Sequence, residues 1–187
     1  MVVAPNLNQS SKLLMSWHRR ERKSILALMN KPRLLAQMVR TPAILQAVLH
    51  GVTQDETASA TDGPNGWSVV EILCHLRDFD GYFQQRCHLM LAEANPALPA
   101  FDHEAIAIKQ NYQAQQLVNV WPAYAASRQR FVALVESLTD EQLNRPGIHP
   151  ESGPITVLDQ SFWAVLHDID HSEQIARSLG RADRFAV

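Results

Sequence analysis

Glycine is scarce in this chain and proline is clustered. Seven glycines and ten prolines punctuate 187 residues, and between them run long stretches with apolar side chains three and four positions apart. That spacing lays the apolar residues along one face of an α-helix. The clearest helix start is Trp67-Ser68-Val69-Val70-Glu71-Ile72. Ser68 and Glu71 can bond each other's backbone amides, and Trp67 can staple onto Ile72. A long helix is expected from there to about Ala94, where Asn95-Pro96 stops it, because the residue before proline is pushed out of the helical region.

A second pattern covers about Gln116 to Ser137, with Pro122 starting, kinking or breaking it. Thr139-Asp140-Glu141-Gln142 reads as the capping box of a short helix, and Asn144 to Ile155 as a loop rich in proline and glycine. Thr156-Val157-Leu158-Asp159 opens a last helix that should end at Leu179, before a C′ glycine, Gly180. Leu34 to Val48 is apolar and helical, with an expected break at Thr41-Pro42, and Gln54 to Asn65 reads as a polar connection. With no alternating strand pattern, the expected class is all-α, a four-helix bundle over residues 31–187. Residues 1–30 stand apart as an extra basic N-terminal helical segment whose apolar positions are Leu13, Leu14, Trp17, Ile25, Leu26 and Met29.

Composition excludes several classes. A single domain of this length buries roughly 70% of the surface its unfolded chain exposes, so a core is possible without staples. Cys74 and Cys87 are too few for a disulfide framework, and no apolar run approaches a membrane span, which points to a cytoplasmic protein. The net charge of −2 divides into +7 for residues 1–50 and −9 for residues 51–187. Arg19, Arg20, Arg22 and Lys23 could meet a nucleic acid or anionic surface, form a solvated face, or belong to an arm packed on the bundle or a second subunit. Packing is ranked first, so nucleic-acid binding is not expected.

Chemistry concentrates on histidines. His167 and His171 lie four apart on the last helix, close enough to share a metal ion, although spacing alone is equally compatible with two half-exposed side chains. His75 occupies a mixed apolar and acidic stripe of the capped helix. A histidine from a facing helix is what a bundle needs to complete such a site.

Three segments together resemble the DinB/YfiT-like superfamily over about Pro32 to Gly180: Trp67 to Asp78, His149 to Thr156, and His167 to Ile175. The resemblance implies a four-helix bundle in which His75, His167 and His171 hold a divalent metal, zinc or nickel. It further implies a homodimer and a small-molecule substrate. The family's characterised members include bacillithiol-using thiol transferases, a mycothiol-dependent maleylpyruvate isomerase, and proteins described as metal-dependent hydrolases.

Three neutral imidazoles leave a dication its full charge and an open coordination position. A water bound there would titrate near roughly pH 7, and a thiol would be held as thiolate. The chain therefore reads as a metal-dependent enzyme. Transfer or isomerisation with a low-molecular-weight thiol is ranked first, hydrolysis second, and a non-catalytic metal- or ligand-binding stress-response protein is the reading of another class. Asp78, Asp170 and Glu71 are candidates to orient a ligand or act as general base, each equally readable as a solvated charge. Trp163 and Tyr82 are candidates for a substrate pocket, whereas Phe79 and Trp121 read as core. Cys74 points about 100° away from His75 around the helix, and both cysteines read as buried small hydrophobes. His18, His50, His88, His103 and His149 lack partner spacing and receive no role.

Overall fold

The computed structural model describes residues 30–182; the basic N-terminal extension expected at residues 1–30 lies outside them, Asn30 excepted. Seven α-helices follow in order: α1 (Lys31–Leu49), α2 (Gln54–Ser59), α3 (Val69–Ala92), α4 (His103–Lys109), α5 (Leu117–Ser137), α6 (Asp140–Leu143) and α7 (Val157–Ser178). A 3-10 turn, Tyr112–Ala114, precedes α5, and a hairpin of β1 (Pro146–His149) and β2 (Gly153–Thr156) precedes α7. The four long helices, α1, α3, α5 and α7, form the expected bundle. α3 packs on α5 and α7, and α1 packs on the same two, so the four close a ring.

The capping chemistry holds locally. The Glu71 carboxylate accepts from the Ser68 N–H at 2.8 Å and its hydroxyl at 2.6 Å. At α7 the Asp159 carboxylate accepts from the Thr156 N–H and hydroxyl, and the Asp159 N–H donates back to that hydroxyl. At α6 the Gln142 side-chain oxygen accepts from the Thr139 N–H, and the Gln142 N–H donates to the Thr139 hydroxyl.

Three local expectations are corrected. α1 runs through Thr41-Pro42 without a break, because the fully packed Thr41 and the flanking Met38 and Leu45 hold the helix in the core on both sides of the proline. The polar connection after Val52 contains α2, nucleated by a Thr53-Glu56 capping box. The Pro/Gly-rich loop before α7 forms the hairpin, in antiparallel register from Pro146 opposite Thr156 to His149 opposite Gly153. Gly153 turns it at φ +71°, and Gly147 lets β1 press on α3, since a Cβ there would meet Met90 Cγ at 2.7 Å.

The interior divides into two apolar clusters. One contains Leu45, Leu73, Leu76, Tyr124 and Ile175; the other contains Met38, Phe83, Phe131, Ala164 and Val165. On each long helix a polar residue sits in sequence at the changeover between them: Thr41 on α1, Asp80 on α3, Arg128 on α5 and Asp168 on α7. All four are buried.

Candidate metal centre

Helix α3 carries His75 on its inward side, two turns beyond the cap, and α7 presents His167 and His171 one turn apart on the facing side. Their side-chain nitrogens converge so that one ligand atom from each lies within 4.8 Å of the others, and among the described residues they form the group of three that meets this condition. His75 Nε2 and His167 Nε2 approach to 2.9 Å. The ring centroids are 4.8 Å apart for His75 and His167, 4.9 Å for His75 and His171, and 4.5 Å for His167 and His171.

All three rings are held neutral. Burial, reinforced by His171 and His103, lowers the His75 pKa to about 3. Burial and the two neighbouring imidazoles push His167 well below its usual value. Burial also lowers His171, against the pull of Gln174 and two aspartates. Neutral imidazole is the form that ligates metal. His171 Nδ1 lies 2.7 Å from Gln174 Oε1, so its Nδ1–H is spent on the amide and Nε2 keeps a lone pair for the centre. His75 Nδ1 is buried without a hydrogen-bond partner. This donor set, all nitrogen and uncharged, fits a divalent zinc- or nickel-type ion.

The histidines form the floor of a cavity of about 610 Å³, also lined by Asn65, Trp67, Phe79, His103, Glu104 and Gln174. Trp67 meets His75 edge-on at 5.2 Å, and Phe79 lies 4.2 Å from His75 and stacks on His167 at 5.7 Å. Exposed at the mouth, His103 Nε2 lies 3.9 Å from Glu104 Oε1.

The other expected site residues fall elsewhere. Glu71 is occupied by the α3 cap. Asp78 accepts from Arg77 at 2.7 Å and from the Tyr112 hydroxyl at 2.7 Å, anchoring the 3-10 turn. Asp170 is exposed on α7. Tyr82 stacks on Phe101 at 4.0 Å next to Phe79, and Trp163 packs edge-on against His149 at 5.3 Å. None of these five lines the cavity. Phe79, read as core, is a wall of the cavity, and His103, given no role, stands at its mouth. The sequence signal for His103 was its neighbour Asp102, which caps α4 by accepting from the Ala105 N–H. Cys74 and Cys87 are buried, and burial raises both thiols to about 12, so neither is a ready nucleophile.

A four-helix bundle with three inward histidines on two facing helices defines a class of divalent-metal proteins. The chain belongs to the DinB superfamily, whose sequence model matches residues 37–175. It is 25% identical over 155 residues to "Putative metal-dependent hydrolase YfiT" of Bacillus subtilis, covering 80% of this chain and 86% of that one. It is 28% identical over 125 residues to "Putative metal-dependent hydrolase OB0413" of Oceanobacillus iheyensis, covering 67% and 72%. The solved structure of YfiT, described as a probable metal-dependent hydrolase with an unusual four-helix bundle topology, superposes with a TM-score of 0.69 over 80% of this chain and 87% of that one. A mycothiol-dependent maleylpyruvate isomerase shares the fold, with a TM-score of 0.68 at 7% identity over 82% and 68% of the two chains. Among the described residues no helix is long and apolar enough to cross a membrane.

Proposed function

We propose that this chain is a metal-dependent hydrolase of a small molecule, with His75, His167 and His171 as the metal ligands. The observation that carries this reading is the convergence of three neutral imidazoles on the floor of a cavity whose mouth bears a carboxylate and a fourth imidazole. A divalent ion held there supplies a Lewis acid with an open coordination position. Glu104, on the cavity lining, is the carboxylate we assign to take a proton from an entering water, and His103 beside it is the imidazole we assign to return one to a leaving group. Trp67 and Phe79 offer flat apolar walls for the substrate and keep bulk water from the histidines. Asn65 and Gln174 provide amide groups to orient it. The hydrolase names of the two curated relatives agree with this assignment.

Thiol-dependent transfer or isomerisation, ranked first from the sequence, is the second reading. It is supported by the shared fold of the mycothiol-dependent isomerase and by a ligand set equally able to hold a thiolate. Among the described residues the cavity lining contains no lysine or arginine to pair with an acidic thiol, whereas it does contain the Glu104–His103 pair that hydrolysis uses. Hydrolysis is therefore placed first.

The test is turnover of a panel of small esters and amides by zinc- and nickel-loaded protein, with and without bacillithiol or mycothiol. Hydrolysis without thiol, lost in His171→Ala and reduced in Glu104→Gln, is expected. Turnover that needs a thiol would transfer the assignment to the second reading, and stoichiometric metal without turnover of either kind would leave a binding protein.

A further inference from the structure

The buried charges at the changeover layer lie one position from a metal ligand on α7 and five from another on α3. Arg128 of α5 places its guanidinium between two carboxylates. Its Nε donates to Asp80 Oδ1 at 2.6 Å, its Nη2 donates to Asp168 Oδ1 at 2.9 Å, and its Nη1 reaches Asp168 Oδ2. Asp168 also accepts from the Tyr124 hydroxyl at 2.9 Å and from the Thr41 hydroxyl, and Asp80 accepts from Gln84 Nε2 at 3.1 Å. The Arg128 side chain is 3% exposed and both carboxylates 0%.

An ion cluster this deep is not what stability alone would select, because well-packed apolar side chains usually serve as well or better at such positions. Its connectivity offers another reason. Asp80 shares α3 with His75, and Asp168 shares α7 with His167 and His171, so one planar side chain with fixed donor directions ties the two ligand-bearing helices together. A helix that slips by one residue moves about 1.5 Å along its axis and turns about 100°, which would break the fork and carry its histidines out of convergence.

We propose that Arg128, clamped between Asp80 and Asp168, is a positioning residue that fixes the register of α3 against α7 and thereby the affinity of the three-histidine centre for metal. The inference rests on the metal reading of that centre.

The experiment measures binding of Zn²⁺ and Ni²⁺, each alone, by competition with a chromophoric chelator. It compares wild type with Arg128→Lys, Asp168→Asn, Tyr124→Phe and Thr41→Val, with helicity and metal-free stability recorded for each. Val135→Ala, a core change on the same helix away from the clamp, is the stability control. Arg128→Lys and Asp168→Asn should bind both ions about tenfold to a hundredfold more weakly, Tyr124→Phe and Thr41→Val less so, and Val135→Ala as wild type does. If Arg128→Lys or Asp168→Asn fails to fold, the two hydroxyl deletions carry the test. Unchanged affinity in the folded clamp variants, or an equal loss in Val135→Ala, would overturn the clamp while leaving the centre intact. A wild type that binds neither ion would overturn both.

Discussion

Two polar clusters lie between α3 and α7, and they meet their hydrogen-bonding needs in opposite ways. Around Arg128 the Asp80 and Asp168 carboxylates and the guanidinium are matched to one another, with hydroxyls from α1 and α5 filling remaining places. At the histidines, inward nitrogens face chiefly one another: His75 and His167 share a single contact and His75 Nδ1 has no partner. Both groups are buried, but all three histidines line the cavity of about 610 Å³, whereas of the clamp only Arg128 borders a space, a separate groove of about 440 Å³ between α1 and α5. A saturated polar cluster holds helices in place, whereas an unsaturated one of good donors awaits a ligand.

The largest way to break this contrast is Arg128→Met. It strands two buried carboxylates and should cost about 3–5 kcal/mol of stability, read as a fall in the denaturant midpoint of the metal-free protein. A loss below about 1 kcal/mol would mean that the carboxylates find other partners. Acid should act on the opposite cluster. In the metal-free protein His75 stays neutral down to about pH 3, while the unfolded chain protonates it near pH 6.5. The unfolded state therefore binds more protons between those values. The stability that neutral burial retains is complete well above pH 6.5 and is lost as pH falls, on the order of 2 kcal/mol by pH 5 for this one group. Unfolding titrations at pH 7, 6 and 5 measure it, and His75→Gln should flatten the dependence.

Smaller changes sharpen the comparison. Ser68→Ala removes a hydroxyl bonded to Glu71 at the start of the helix that carries His75, and should cost about 1 kcal/mol without changing metal binding. Asp170→Asn, on the exposed side of α7, should alter stability by less than about 0.5 kcal/mol. Asp168→Asn, two positions away, should weaken metal binding, and equal effects of the two would erase the distinction between exposed and clamped carboxylate.

That last pair shows how far the sequence could be read. Apolar period located all four long helices, though it broke α1 at Thr41-Pro42 where the helix in fact continues, and caps fixed the starts of α3 and α7, because Ser68-Glu71 and Thr156-Asp159 are local chemistry that needs no partner from elsewhere. The histidines were legible for the same reason, His167 and His171 being one turn apart and His75 on a capped helix. The second carboxylate was not. Asp168 and Asp170 look alike along the chain, and which of them is buried depends on how α7 rotates against α1 and α5. Arg128 likewise read as one member of a broad helix face, since its two partners lie 48 and 40 residues away. His103 was missed because it sits on a short helix whose place over the cavity is set by tertiary packing.

The central claim is that His75, His167 and His171 form a metal centre, and elemental analysis of the purified full-length protein, beside the three single alanine variants, tests it most directly. About one equivalent of zinc or nickel per chain in the wild type, lost in each variant while helicity is retained, is the predicted result. A wild type that is metal-free as purified and takes up neither ion when supplied would contradict it.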